Sequence, residues 1–180
     1  MRCVKLPTGL MNVPFLRKKS DSIEGSVPME IRRSTETDIP QLALLESQCF
    51  GDPWSSKGLR DTLREERSFF LTAEENGRIC GYLNCTYILD EIDIHRVCVL
   101  PECRRMGVGA ALMERLMDFC REKELREIFL EVRKSNIQAQ RLYTRFGFET
   151  VGERAGFYQN PDEPGLIMRA DVSKLSESDE

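Results

Sequence analysis

One short segment constrains the fold of this chain more than any other: an apolar run, then a glycine-containing turn, then the pattern of an amphipathic helix. Residues 97–101 form the apolar run, and Arg104-Arg105-Met106-Gly107-Val108-Gly109-Ala110 is the turn. Apolar residues then recur at helical spacing, at Val108, Ala111, Leu112, Leu116 and Phe119. The segment therefore predicts a strand that enters a helix through a turn built around glycine.

A turn of this kind is suited to binding an anion. The free backbone N–H groups of the first helical turn and the positive end of the helix dipole point at one spot, and glycine lets the backbone approach a phosphate placed there. The dinucleotide-binding pattern would need a third glycine where Leu112 stands, and the Gly-Lys-Ser/Thr of a P-loop is absent. The remaining match is Arg/Gln-x-x-Gly-x-Gly/Ala, which predicts a site for the pyrophosphate of a phosphorylated cofactor.

Further motifs follow in order downstream: Leu130-Glu131-Val132-Arg133, Ser135-Asn136, Ala139, Leu142-Tyr143 and Gly147-Phe148. Together with the glycine turn, they resemble the GCN5-related N-acetyltransferase (GNAT) superfamily, and within it the bacterial ribosomal-protein-alanine N-acetyltransferase (RimI-like) branch. The resemblance covers residues 29–171 and is strongest over residues 94–148. It implies acetyl-CoA as the co-substrate and a pyrophosphate held by the glycine turn.

The resemblance also implies an α/β (α+β) fold, in which a mixed seven-stranded sheet carries four helices on both faces. The residue patterns agree with it. Asn76-Gly77 is a strong hairpin signal, and Thr37-Asp38-Ile39-Pro40 is typical of a helix start. The expected strands span residues 29–33, 69–75, 79–87, 91–99, 125–132, 148–158 and 166–171. The expected helices span residues 37–49, 55–64 and 136–146, and one further helix begins at the glycine turn.

The chain has 180 residues, which is enough for one domain with a real core, and we assign that domain to residues 29–172. Residues 1–28 are expected to be a disordered leader, because prolines, glycine and asparagine interrupt their apolar stretch. There are two alternatives. Either the true start of the protein is Met11 or Met29, downstream of the first codon given, or these residues are a targeting peptide. Residues 173–180 are polar and acidic, and we expect a disordered tail.

A phase change in the fourth strand predicts a β-bulge. Ile92 and Ile94 are apolar at even positions, whereas Val97 and Val99 are apolar at odd positions, so one extra residue should lie near His95-Arg96. In the family, this strand parts from the next one and the pantetheine arm of acetyl-CoA lies in the gap. The resemblance thus assigns the backbone of Val97, Cys98 and Val99 to the cofactor.

Acetylation of an amine needs a base for the amine and a proton for the departing thiolate. Glu131 is the candidate base, because it interrupts an apolar strand that we expect to be buried on both faces. The alternative is a salt bridge with Arg133 or another arginine. Tyr143 is the candidate acid, since the resemblance places it at the position of the family's acid, and the alternative is a tyrosine that only packs in the core.

The resemblance distributes the remaining site residues between cofactor and substrate. Asn136 is expected to contact the cofactor, to cap the fourth helix, or to do both. Trp54 lies in a loop similar to the family's Phe-Pro-Trp-Ser loop, and Tyr158 matches its peptide-binding wall. We expect His95, the single histidine, to line the substrate groove rather than to catalyse. The glycine turn supplies the remaining cofactor contacts: Arg104, Arg105, Met106, Gly107, Val108, Gly109 and Ala110.

Composition excludes several other classes of function. The formal net charge is −4, which argues against nucleic acid as the main partner. Seven scattered cysteines without a Cys-x-x-Cys pair, and one histidine, give no zinc spacing and are typical of reduced thiols in a cytoplasmic protein. No apolar run approaches the roughly 20 residues that a membrane-spanning helix requires.

The expected function is therefore acetyl transfer from acetyl-CoA to a protein N-terminus, with the N-terminal alanine of a small-subunit ribosomal protein as the target. Acetylation of a small amine, such as a polyamine or an aminoglycoside, is the enzymatic alternative. Asp90, Glu91 and Asp93 could form the acidic pocket that such a cation would need. A non-catalytic acyl-CoA-binding module is the third possibility, and it would need neither Glu131 nor Tyr143.

Overall fold

The computed structural model describes residues 28–175, and its order of elements matches the prediction closely. The expected leader before Pro28 and the tail beyond Leu175 lie outside the described residues. Within them, the strands are β1 Glu30–Arg33, β2 Ser68–Glu75, β3 Arg78–Ile88, β4 Glu91–Val99, β5 Glu127–Arg133, β6 Glu149–Tyr158 and β7 Glu163–Asp171. The α-helices are α1 Ile39–Cys49, α2 Ser56–Arg64, α3 Val108–Glu122, α4 Ile137–Arg145 and α5 Val172–Leu175.

The seven described strands form one mixed sheet in the order β1-β2-β3-β4-β5-β7-β6. All neighbours are antiparallel except β4 and β5, which run parallel and are joined by the crossover through α3. The Asn76-Gly77 turn joins β2 to β3, with both residues at positive φ as a tight hairpin requires. The predicted mixed seven-stranded sheet is thus confirmed.

Helices cover both faces of the sheet, as expected. Tyr82 of β3 donates a hydrogen bond to Glu46 of α1, whereas Phe69 of β2 stacks on Phe119 of α3 with ring centroids 3.7 Å apart. Phe69 pairs in register with Cys85, three residues after Tyr82, so the two aromatic side chains lie on opposite faces. Most of the apolar side chains on both faces are buried, which gives the sheet a core on each side.

Two helix ends differ from the prediction. Asp38 stands directly before α1, but its carboxylate does not cap that helix; it accepts hydrogen bonds from the Thr35 N–H at 2.7 Å and from the Arg32 guanidinium at 2.8 Å. It thereby fixes the short 3₁₀ turn that precedes α1. At the other end, residues 172–175 form the short helix α5, so the segment that was expected to be disordered begins with one helical turn.

No helix within residues 28–175 combines the length and the apolar character that crossing a bilayer requires.

Candidate active site

The predicted bulge in β4 is confirmed, and it parts the sheet. Asn84 of β3 pairs with Arg96, but the next residue of β3 pairs with Ile94, so His95 is the extra residue. On its other side, β4 pairs with β5 only as far as Ile94 and Leu130. Beyond this pair the two parallel strands separate, and a gap opens between them.

The backbone of β4 beyond the bulge presents alternate residues to this gap. The N–H of Leu100 donates to the carbonyl of Cys80 on β3, at 2.9 Å. Since hydrogen-bonding direction alternates along an antiparallel strand, Cys98 also turns its backbone groups toward β3, while Val97 and Val99 turn theirs toward the gap. Of the three residues assigned to the cofactor, Val97 and Val99 therefore have the suitable orientation.

The glycine turn has the geometry of an anion site. Gly107 is the N-cap of α3 and lies at φ 89°, in the left-handed region that favours glycine. The first turn of α3 carries no acidic side chain, so nothing within it competes for the free N–H groups of a 15-residue helix. Arg104 is tied to the strand before it, since its Nε donates to the Val99 carbonyl at 3.1 Å. These residues fit a pyrophosphate.

A cleft of about 810 Å³ lies where β4 and β5 part, between the α1–α2 loop and the β6–β7 turn. It brings together six of the residues predicted for the site. These residues are Trp54, Val97, Glu131, Asn136, Tyr143 and Tyr158. His95 also lines the cleft, as expected, while residues 98, 99 and 104–110 lie outside its lining.

Glu131 lies on β5 one residue beyond the last β4–β5 pair, and it lines the cleft. The expectation that β5 is buried on both faces is wrong: Ile128, Leu130 and Val132 are buried, but the alternate residues are half-buried. Glu131 belongs to this second face, with its side chain 27% exposed, and its Oε1 lies 2.8 Å from a guanidinium nitrogen of Arg154. The carboxylate is thus both partly exposed and paired.

Tyr143 is on α4 and is buried, although it reaches the cleft. Its ring packs against Phe148 with centroids 5.7 Å apart. Burial raises the pKa of the Tyr143 hydroxyl, and the Tyr158 hydroxyl adds to this effect. The hydroxyl therefore keeps its proton throughout the neutral pH range, as an acid that donates late in a reaction must.

Asn136 caps α4, which was one of its two expected roles. Its Oδ1 accepts a hydrogen bond from the Ala139 N–H at 3.1 Å. The preceding residue, Ser135, is held by Glu163 of β7 through both its N–H and its hydroxyl. The start of α4 is therefore fixed at the cleft wall, and the Asn136 side chain lines the cleft while it caps the helix.

The wall that contains Trp54 is organised by Arg96. The Arg96 guanidinium lies over the Phe50 ring at 4.3 Å and the Trp54 ring at 5.2 Å, and it donates to the Asp52 carbonyl at 3.0 Å. His95 lies beside this wall, 6.3 Å from Trp54 between ring centroids. Burial lowers the His95 pKa, so the imidazole is neutral at neutral pH.

Sequence reasoning missed Glu46, which anchors the same wall from inside the core. Glu46 is fully buried, and its carboxylate accepts hydrogen bonds from the Trp54 N–H at 2.6 Å and from the Tyr82 hydroxyl. Burial raises its pKa. In the sequence, a glutamate within α1 looks like an ordinary surface residue. Its helical spacing from Leu42 and Leu45, which mark the buried face of α1, could have suggested an inward position.

The opposite wall is formed by Tyr158 and the β6–β7 turn, and Arg133 holds it. The Arg133 guanidinium donates to the carbonyls of Gln159 at 2.8 Å and Pro161 at 3.1 Å, and it lies 4.5 Å from the Tyr158 ring centroid. The Tyr158 hydroxyl donates to the backbone carbonyl of Glu131 at 3.0 Å. This wall is therefore fastened to β5 directly beside Glu131.

Cys98 is buried and does not line the cleft, which argues against a nucleophilic role. A hydrogen bond with the Cys49 sulfur raises the pKa of the Cys98 thiol, and burial adds to that effect. A thiol that stays protonated is a poor nucleophile.

Comparison with known proteins is consistent with this geometry. A model of the "Acetyltransferase (GNAT) family" matches residues 39–148. The chain belongs to this family. It is therefore an acetyltransferase, and proteins of this family generally take the acetyl group from acetyl-CoA.

Two curated relatives and one solved structure illustrate the branch. The chain is 31% identical over 139 residues to the ribosomal protein bS18-alanine N-acetyltransferase of Escherichia coli (strain K12), covering 76% of this chain and 93% of that protein. It is 30% identical over 150 residues to the N-alpha-acetyltransferase RimI of Mycobacterium tuberculosis, covering 80% and 93%. The crystal structure of the E. coli ribosomal-protein-S18-alanine N-acetyltransferase superposes with a TM-score of 0.76 at 28% identity, covering 81% and 94% of the two chains. These relatives support the RimI-like branch.

The buried carboxylate of Glu46 predicts a distinct dependence of stability on pH. Because its pKa is raised in the folded protein, the native state retains a proton that the unfolded chain loses above about pH 4.3. Glu46 therefore makes the free energy of unfolding fall as pH rises from that value through the raised pKa. In Glu46→Gln the amide can accept from Trp54 and donate to Tyr82, and this contribution is absent.

Urea unfolding at a series of pH values, followed by the fluorescence of Trp54, measures the effect. The difference in unfolding free energy between Glu46→Gln and the wild type should grow in favour of the variant as pH rises, and then level off. A difference that does not change with pH would show that Glu46 titrates alike in the folded and unfolded chains.

Proposed function

We propose that this protein is an N-alpha-acetyltransferase that transfers the acetyl group of acetyl-CoA to a protein N-terminus. The N-terminal alanine of a small-subunit ribosomal protein is the proposed target. The observation that carries the proposal is that Glu131 and Tyr143 line one cleft, at the place where β4 and β5 separate. Synthesis of ribosomal proteins in the cytoplasm makes that the proposed location of the reaction.

Bound acetyl-CoA supplies the thioester whose acetyl group is transferred. The N–H groups at the start of α3 would hold the pyrophosphate, and the backbone groups of Val97 and Val99 would bind the arm in the gap and polarise the acetyl carbonyl. Arg104, Arg105 and Met106 shape the turn, and Asn136, which lines the cleft at the start of α4, would contact the arm. The left-handed Gly107 supports the pyrophosphate site, and the direction of the β4 backbone toward the gap supports the roles of Val97 and Val99.

Glu131 removes a proton from the substrate ammonium, because only the neutral amine has a lone pair with which to attack. Its place at the rim of the gap and its partial exposure let an amine approach it from the cleft. Tyr143 gives its proton to the sulfur as the thiol departs. The buried hydroxyl is suited to this role because its raised pKa keeps it protonated until that step.

The walls of the cleft favour a peptide over a small polyvalent amine. Trp54 and Tyr158 offer aromatic surfaces on opposite sides, where a peptide backbone can lie between them. Asp90, Glu91 and Asp93, the acids that a polycation would need, are not part of the cleft lining. Two relatives act on α-amines by their names, and this supports the same class of substrate here.

The ionisation of the substrate amine distinguishes an N-terminus from a lysine side chain. An α-amine has a pKa of about 8 against about 10.4 for lysine, so its deprotonation at neutral pH costs less free energy. A peptide that begins Ala-Arg should be acetylated at its α-amine, whereas the same peptide with a blocked N-terminus and an internal lysine should react poorly. Mass spectrometry of the products locates the acetyl group. Equal rates on both peptides would contradict the proposal.

Replacing Glu131 by glutamine should abolish most of the turnover while acetyl-CoA still binds. A positioned general base contributes roughly 10²- to 10⁴-fold to the rate, and the amide cannot accept a proton. The loss should shrink as pH rises toward the pKa of the amine, because more of the peptide is then already neutral. Steady-state rates across pH measure this. A Glu131→Gln variant with wild-type rates would assign Glu131 a structural role.

Replacing Tyr143 by phenylalanine removes one hydroxyl and keeps the ring that packs on Phe148. Turnover should fall by about 10²-fold or more, which is about 2.7 kcal/mol of barrier, while the Michaelis constant for peptide changes little. Calorimetry with acetyl-CoA and thermal unfolding serve as controls for binding and folding. Near-normal turnover in a folded variant would mean that the sulfur takes its proton from water.

A further inference from the structure

The ion pair between Arg154 and Glu131 joins two strands that are not neighbours in the sheet. Arg154 is on β6 and Glu131 is on β5, with β7 between them. Gly165 of β7 stands in register with Arg154 on one side and with Arg133 on the other. Glu131 precedes Arg133 by two residues, so these side chains lie on the same face of the sheet. The Arg154 side chain therefore reaches across β7 to Glu131 from a position opposite a residue that has no side chain.

Phe157 fills the space over this glycine and guides the arginine. A Cβ atom added at Gly165 would lie 3.0 Å from Cδ1 of the Phe157 ring, so the ring rests directly on the bare backbone. The Arg154 guanidinium lies 5.0 Å from the centroid of the same ring. The aromatic ring and the carboxylate thus hold the guanidinium beside two residues that line the cleft, Phe157 and Glu131, although Arg154 itself is not part of the lining.

The substrate brings a second cation to the same carboxylate. Below its pKa of about 8, an α-amine arrives as an ammonium, and the guanidinium of Arg154 is permanently charged. Two cations within reach of one carboxylate repel each other. The Arg154 side chain is 56% exposed, so its guanidinium can turn into solvent when the ammonium arrives.

We propose that Arg154 is the counter-ion of Glu131 in the free enzyme, and that the α-ammonium of the substrate displaces it on binding. Arg154 is then a residue that sets substrate affinity without touching the reacting atoms. The inference rests on the proposed function, since it takes Glu131 as the group that receives the amine. Ion pairs of this exposure are weak, so the exchange lowers affinity only modestly and does not prevent binding.

Steady-state kinetics of Arg154→Met tests the exchange. Without the competing cation, the Michaelis constant for a peptide with a free N-terminus should fall by about 2- to 5-fold, while kcat and the affinity for acetyl-CoA stay near those of the wild type. Arg154→Lys keeps the charge and should keep the wild-type Michaelis constant. Arg154→Gln provides a second neutral variant, so that the test does not depend on the folding of one protein.

Lys134→Met is the matched control. Lys134 is also 56% exposed and pairs at 2.8 Å with Glu153, the residue next to Arg154. Removing this cation should leave the Michaelis constant for peptide unchanged, because Glu153 does not line the cleft. If the Michaelis constant for peptide fell equally in Lys134→Met and Arg154→Met, the fall would reflect net charge alone. That result would overturn the proposed exchange.

Calorimetry in the Glu131→Gln background shows whether Arg154 acts through Glu131. There, adding Arg154→Met should not change the dissociation constant of the peptide. A tighter dissociation constant in that background, or an unchanged or higher Michaelis constant in Arg154→Met itself, would overturn the inference while leaving the proposed function intact. Failure of the wild-type protein to acetylate any peptide N-terminus would overturn both.

Discussion

The separation of β4 from β5 is the constraint on which the rest of the site depends. One extra residue, His95, shifts the register of β4 against β3, and pairing with β5 stops at Ile94 and Leu130. From that point the backbone of β4 has hydrogen-bonding groups that no strand takes up, and the next residue of β5 is Glu131. A single inserted residue thus places the cofactor groups and the candidate base on two sides of one gap.

Charged side chains, rather than apolar packing, shape the walls around this gap. Arg96 covers the rings of one wall, Arg133 binds the carbonyls of the other, and Glu46 anchors the first wall from the core. Each contact joins a charged group to backbone or to an aromatic face, so the loops keep their form without a core of their own. The glycine turn stands apart from these walls, since its conformation follows from Gly107 and the helix that it begins.

The fold could be predicted from the sequence because its signals are local. Helical spacing after Gly107, the Asn76-Gly77 turn and the phase change at His95 each specify backbone within a few residues, and each was confirmed. Burial was harder to predict. The strand that contains Glu131 reads as apolar, yet its alternate residues are half-buried along its whole length, including the part that pairs with β4. The partners of Arg154 and Glu46 could not be predicted from the sequence, since each lies on another element of the fold.

Glu46 holds the Trp54 loop through the backbone of the loop rather than through a side chain. The carboxylate binds a backbone N–H, a group that every residue except proline carries, and its other contact is a tyrosine on a separate strand. This anchor is therefore independent of the side chains that the loop displays, in contrast to the contacts of Arg96 with the Phe50 and Trp54 rings. Substitutions in the loop that spare those two rings can alter the surface of the cleft wall while both contacts persist.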